Sequence, residues 1–323
     1  MKIYRRKVWM FVGIMLAAAG LTFDGVKAAD SPIVSTWKGG IHVLPASATR
    51  SGAVEKPAFK DGETVKQWRT RLTRELVKPD AKVPAVIYAH GCKGPTAATA
   101  WAGLFNEFGF AVFAPDSFER PGRKQLCYRK GTAWKVPMRQ EEIRFALQQV
   151  RKLPWIDQDR VVLVGKSEGG RAVAEYKSGG FIAQIILAYD CKHKRRRPLA
   201  PKGVPVLNLV GANDRREKLC RIKRKAGGSK AISLAGQRHS FEGDPNAKAA
   251  IATFLSACCG YKPENATDGL DADETAKTFI EEYGDMARLV ATMNADKALA
   301  KGDKKGQAFW LQVNKIASKL TGK

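Results

Sequence analysis

The side chains with most chemistry to offer are Ser167, Asp214 and His239. Ser167 lies in Gly165-Lys166-Ser167-Glu168-Gly169, after the apolar run Val161-Val162-Leu163-Val164 and before Gly170-Arg171-Ala172-Val173-Ala174. A β-favouring run before and small residues after predict a strand, a sharp turn and a helix. The glycines leave space for tight backbone, and the turn pushes the serine Oγ out of the sheet. A serine hydroxyl is a poor nucleophile until a base takes its proton. The base in turn needs an acid to fix its tautomer and stabilise the imidazolium. Such a trio attacks acyl carbons.

Only four histidines could serve as base: His42, His90, His193 and His239. His42 falls in an irregular start. His90 ends an apolar run before Gly91, which suits a loop role. His193 lies within Lys192-His193-Lys194-Arg195-Arg196-Arg197, whose cations disfavour a protonated imidazole. His239, in Gly236-Gln237-Arg238-His239-Ser240-Phe241, follows the last expected strand and is the expected base. Asp214 ends Gly211-Ala212-Asn213-Asp214 after the strand Val206 to Val210 and is the expected acid. The order Ser167, Asp214, His239 then matches nucleophile, acid and base. Asp190 competes for the acid role, since it too ends a strand, but it is expected to pair with the basic loop beside it. An oxyanion needs N–H donors, together worth several kcal/mol at about 3 kcal/mol each. The expected donors are the backbone N–H of Glu168 and, from the loop His90-Gly91-Cys92-Lys93-Gly94, that of Cys92. The side chains of Lys166 and Glu168 are expected as exposed groups in local ion pairs.

Positioning these residues requires strands that end at one rim. Ala85 to His90, Phe110 to Ala114, Val161 to Val164, Ile185 to Ala188, Val204 to Val210 and Ala231 to Leu234 read as strands, the first two as buried parallel ones. Ala97 to Phe108, Arg139 to Leu153 and Pro245 to Ala257 read as helices. Alternating strands and helices imply a mostly parallel α/β sheet covered on both faces, with sites beyond the carboxyl ends of its strands. Arg69 to Val77 alternates polar and apolar residues and predicts one more strand. Residues 29–60 read as irregular chain or an edge strand, 61–260 as the α/β domain, and 261–323 as a helical extension. Within that extension, Ala272 to Leu299 and Gln307 to Leu320 are amphipathic.

Taken together, His90-Gly91, Pro115-Asp116-Ser117-Phe118, the serine turn, Gly211-x-x-Asp214 and His239-x-Phe241 resemble the dienelactone hydrolase family of the α/β-hydrolase superfamily. The likeness covers about residues 65–258. It implies hydrolysis of an ester or lactone, without metal or organic cofactor. That family is known for a cysteine nucleophile where this chain carries Ser167. The departure points away from dienelactones and toward a general serine esterase.

The 323 residues carry a net charge of +25. Lys2, Arg5, Arg6 and Lys7, the apolar run Val8 to Leu21, and Val26-Lys27-Ala28 predict a cleaved export signal over 1–28. A membrane anchor is the competing reading, but a run of 14 residues is short for a bilayer. The destination is then periplasmic or secreted. Six cysteines suit an oxidising compartment, and the expected bridges are Cys92–Cys127 and Cys191–Cys220. Cys258 and Cys259 adjoin, where a bond is uncommon. Metal binding is not expected, because no C-x-x-C or H-x-x-x-H spacing occurs. Residues 191–225 hold 13 Lys/Arg against two acids, a stretch that attracts anions or stays simply solvated. If it overlies the pocket, an anionic ester or lactone is the preferred partner. Nucleic acid is not expected, because no aromatics interleave with the basic run. Acyl transfer or peptide hydrolysis could use the same triad. A basic envelope-binding protein with vestigial catalysis is the reading from another class.

Overall fold

The computed structural model describes residues 31–123, 127, 135–191, 197–214, 219–222, 228–261, 272–283, 287–300 and 304–322. The expected export signal falls outside these residues. Its first helix, α1 (Pro32–Lys38), leads into the short strand β1 (Ile41–Val43). A second helix, α2 (Val65–Arg71), runs on through a π-turn (Leu72–Leu76). The chain then alternates through β2 (Val83–Ala89), α3 (Thr96–Glu107), β3 (Ala111–Ala114), α4 (Lys135–Val150), β4 (Ile156–Lys166) and α5 (Glu168–Ala174). Three strands follow, β5 (Ala183–Leu187), β6 (Val206–Gly211) and β7 (Lys230–Leu234), before α6 (Pro245–Cys259).

The seven strands form one sheet in the order β1-β3-β2-β4-β5-β6-β7. Every neighbouring pair is parallel except β1 with β3, where Ile41 faces Ala114 and Val43 faces Val112. Residues 29–60 therefore supply the antiparallel edge. Both faces are covered, so successive residues of a central strand enter different cores. Ala85, Ile87, Val161 and Leu163 pack with Trp37, Trp68, Leu72, Ile143 and Val173. Val86, Tyr88, Val162 and Val164 pack with Trp101, Phe105, Ile251 and Phe254 on the other side. That is why the strands read as continuous apolar runs rather than alternating ones. Together with the serine turn after the central strand β4, this is an α/β-hydrolase fold.

Two expectations are corrected. Arg69 to Val77 is helical over most of its length. Thr64 and Gln67 close a capping box at the helix start, and Trp68 and Leu72, four residues apart, are both buried. That spacing decided the matter over the polar–apolar alternation. Cys258 and Cys259 are bonded to each other, while the other four cysteines form Cys92–Cys127 and Cys191–Cys220. With those four committed to long-range bridges, the adjacent pair has only itself.

Beyond Gly260, which ends α6 in the left-handed conformation, the described chain is helical: α7 (Ala272–Tyr283), α8 (Ala287–Ala300) and α9 (Lys304–Thr321). The long helix expected over Ala272 to Leu299 is therefore described as two. Their shared apolar cluster, with Ala276, Ala291, Val313 and Ala317, is separate from both sheet cores. Among the described residues, no helix is long and apolar enough to cross a membrane.

Candidate active site

Register carries the serine to the rim. Gly165 faces Ala89 of β2 and Ile186 of β5, and the Ser167 N–H still donates to Leu187 O at 2.9 Å. The chain then reverses at Ser167 itself, with φ 54° and ψ −108°. A non-glycine residue there costs on the order of 1–3 kcal/mol and is held only by its surroundings. The surroundings are tight. A Cβ on Gly169 would stand 1.9 Å from Ala89 O, and one on Gly165 would stand 2.4 Å from Gly169 O. Two glycines thus let α5 start directly against β2, leaving the Ser167 hydroxyl facing outward.

Two loops bring the other partners. At the end of β6, Gly211 lets the His239 loop approach: a Cβ there would lie 2.0 Å from Arg238 O. The Asn213 N–H donates to Gln237 O at 2.8 Å, and its side-chain amide donates to Gly236 O at 3.2 Å. The β6 and β7 loops are therefore laced together. His239 Nδ1 lies 2.5 Å from Asp214 Oδ2, and Nε2 lies 3.0 Å from Ser167 Oγ. An ionised carboxylate can only accept, so a proton on Nδ1 leaves the Nε2 lone pair facing the serine O–H. Asp214 is buried and His239 is one-third exposed, so the acid is sheltered while the base meets solvent.

The loop after β2 lies beside the elbow. A Cβ on Gly91 would be 3.6 Å from Ser167 Cβ. His90 fixes this loop from beneath. Its Nε2 accepts from the Ser117 N–H at 2.9 Å, so its proton sits on Nδ1 and is donated to Gly91 O at 2.7 Å. Burial, then the neighbouring Arg139 charge, hold the His90 pKa below its ordinary value, against the opposing pull of Asp116. His90 is thus a neutral strut. The N–H groups of Cys92 and Glu168 make no hydrogen bond among the described residues.

Lys166 and Glu168 do form ion pairs, but Lys166 is buried and Glu168 half-buried rather than exposed. Glu168 bonds Arg123 and, at 2.8 Å, Lys135. Burial alone would raise its pKa; the Lys135 hydrogen bond and the Arg139 and Arg123 charges outweigh it and hold the carboxyl low. Lys166 bonds Glu242 and reaches Ser240 Oγ at 3.3 Å, tying the elbow to the histidine loop. Burial and the nearby Lys93 push its ammonium down to about 8. Behind them Arg139 joins Glu142 at 2.9 Å and His90 O at 2.9 Å, and Glu142 accepts from Ser117 Oγ at 3.0 Å. Sequence reading had singled out none of Arg123, Lys135, Arg139, Glu142 or Glu242. Apart from Arg139 and Glu142, three residues apart, their partners lie far away in the chain, and no local pattern marks them. The acid that His239 Nδ1 meets is Asp214; Asp190 is buried after β5 beside the bonded Cys191, and most of the basic loop expected to pair with it lies outside the described residues. Among the described residues, no three His, Cys, Asp or Glu side chains are grouped to hold a metal ion.

Cavity size does not pick out this site. A cleft of about 1160 Å³ lies at the opposite, amino-terminal rim, lined by Val83, Gly109, Tyr261 and neighbours. Ser167, Asp214 and His239 meet instead at the carboxyl ends, where such sheets bind ligands.

No protein-family model matches the chain, and no curated protein does. Solved structures do match. A candidate dienelactone hydrolase from Klebsiella pneumoniae aligns at 16% identity over 56% of this chain and 89% of that chain, with a TM-score of 0.44. Est1E from Butyrivibrio proteoclasticus aligns at 14% over 55% and 88%, TM-score 0.40. Esterase 2 from Thermogutta terrifontis aligns at 17% over 58% and 88%, TM-score 0.40. At these identities and TM-scores the likeness assigns no activity.

Proposed function

We propose that this chain is a serine hydrolase that cleaves a carboxylic ester or lactone through an acyl-enzyme. The observation that carries the proposal is the single imidazole of His239 joining Ser167 Oγ at 3.0 Å and Asp214 at 2.5 Å at the rim of the sheet. Ser167 Oγ attacks the acyl carbon while His239 Nε2 takes its proton, and Asp214 holds the imidazolium that forms. The tetrahedral oxyanion is received by the N–H groups of Cys92 and Glu168. Collapse of that intermediate expels the alcohol, protonated by His239. Water, deprotonated by the same nitrogen, then releases the acid.

A negatively charged substrate suits the rim. Lys93 follows one oxyanion donor and Arg238 precedes the base; both are exposed, and neither carries an ion pair among the described residues. An ester bearing a carboxylate should therefore show a higher kcat/KM than a neutral ester of equal size, and the advantage should shrink as salt is added. Equal, salt-insensitive constants would remove this preference. Export to an oxidising compartment is supported by three bonded cysteine pairs.

The direct test is labelling with a fluorophosphonate, comparing the parent with Ser167→Ala. Labelling and ester hydrolysis that both vanish in the variant support the reading. A folded parent that neither labels nor hydrolyses short-chain esters or lactones refutes it.

A further inference from the structure

Both oxyanion donors belong to residues anchored on one stretch of chain. Cys92 is bonded to Cys127, with Cα atoms 5.0 Å apart. Eight residues further on, Lys135 donates to the Glu168 carboxylate at 2.8 Å, and Arg123 bonds the other oxygen of the same carboxylate. The anchors are themselves fixed. Lys135 and Arg123 are buried; the Arg123 guanidinium lies 4.9 Å from the Phe118 ring centre, and its Nε reaches Ser117 Oγ at 3.3 Å. Phe118 closes the circuit. Its ring edge would stand 2.7 Å from a Cβ on Gly94, so it lies directly against the loop that carries Cys92.

The geometry points to Arg123, Cys127 and Lys135 as positioning residues that hold the two donor N–H groups at the spacing an oxyanion needs. Their described side-chain bonds run to Cys92, Glu168 and Ser117. They act through Cys92, by a covalent bond, and through Glu168, by two ionic ones. A turn such as Gly91 to Gly94 and the first residue of a helix each have backbone freedom of their own. Tying the turn to Cys127 by a covalent bond, and the helix start to the buried Arg123 and Lys135 by ionic ones, removes it. The inference rests on the acyl-transfer reading above, because it assigns a purpose to donors that only an oxyanion would use.

The test keeps both N–H groups and cuts only the ties. Cys92→Ala/Cys127→Ala removes the bridge, and Glu168→Gln removes the charge. Each is assayed for kcat and KM on a p-nitrophenyl ester and for inhibition by a phenylboronic acid. The boronic acid forms a tetrahedral adduct on serine and so reports the oxyanion pocket. A donor displaced by about 1 Å is expected to lower kcat roughly 10- to 100-fold. The boronate inhibition constant should rise by a similar factor, while KM stays within about twofold and Ser167 still takes the fluorophosphonate. A folded variant with parental kcat and boronate affinity overturns the inference, as does one altered only in KM. If the alanine pair does not fold, Glu168→Gln decides alone by the same criteria. A parent without labelling or hydrolysis would sink the functional reading instead, so the two failures are told apart.

Discussion

Replacing Gly169 by alanine puts the elbow to a quantitative test. The added methyl would stand 1.9 Å from Ala89 O and 2.5 Å from Ala89 C, both backbone atoms of β2. Real Cβ atoms essentially never come closer than 3.0 Å, so α5 must retreat by about 1.1 Å. No rotamer change can relieve this, because neither partner is a side chain. Ser167 is two residues away on the same rigid turn, and its hydroxyl is 3.0 Å from His239 Nε2. A shift of that size breaks the hydrogen bond. Misplacement by 1 Å costs about 100-fold in rate, and overpacking should cost about 1–3 kcal/mol of stability. The assay is kcat/KM on a short-chain p-nitrophenyl ester beside thermal unfolding. Gly103→Ala is the control. It lies within α3 with nothing inside 4 Å of a new Cβ, so it should leave activity alone and add about 0.5–1 kcal/mol of stability. If Gly169→Ala kept kcat/KM within about threefold and unfolded with the parent, the close approach of α5 to β2 would be wrong, and the elbow geometry with it.

Three further outcomes follow from the same coordinates. Asp214→Asn should lower kcat by about 10⁴-fold with little change in KM, because an amide no longer holds the His239 proton on Nδ1; steady-state kinetics decide it. Lys166→Met and Glu242→Gln should be non-additive, with a coupling of about 1–3 kcal/mol in kcat/KM, since each variant strands the other's partly buried charge between elbow and histidine loop. A double-mutant cycle measures it, and simple additivity would deny that the pair holds the two together. His42 is fully buried among the rings of Trp37, Trp68 and Phe113, and burial lowers its pKa to about 4, opposed by the Trp37 carbonyl. The unfolded chain binds its proton near pH 6.5 and the folded chain only near 4, so the stability is complete above 6.5 and lost as pH falls toward 4. That loss is about 3 kcal/mol, and urea unfolding at pH 7 and pH 4.5 should show a smaller difference in His42→Phe.

The parts of the site legible in the sequence are those that chemistry forces into local patterns. A serine at a strand end needs small neighbours, and Gly165 and Gly169 supplied that signal because any side chain there collides with backbone. Asp214 and His239 stood out because each follows an apolar run within a few residues. His42 did not. Nothing adjacent to it in the chain announces a cage built from Trp37 on one helix, Trp68 on another and Phe113 on a strand. The helix over 65–76 was missed for a different reason. Its Thr64–Gln67 box and its Trp68–Leu72 spacing were present, but polar–apolar alternation can be read in the same residues.

Charge shows the same division more sharply. On a chain of net charge +25, every cation invites a solvated reading. Yet Arg123, Lys135, Arg139 and Lys166 are all buried around the serine turn, each against an acid: Glu168, Glu142 or Glu242. Only Arg139 and Glu142 are close in sequence; Lys166 and Glu242 are 76 residues apart, and Arg123 and Glu168 are 45. Removing one member of such a pair leaves a desolvated charge, which costs more than the pair contributes when intact. Pairing of this kind therefore adds little to overall stability but penalises every arrangement in which the elbow, the histidine loop and the loop after β2 drift apart. Ser167, Asp214 and His239 are placed by strand ends, which a sequence displays. The spacing between those ends is held by long-range ion pairs and a disulfide, which become visible only once the chain has folded.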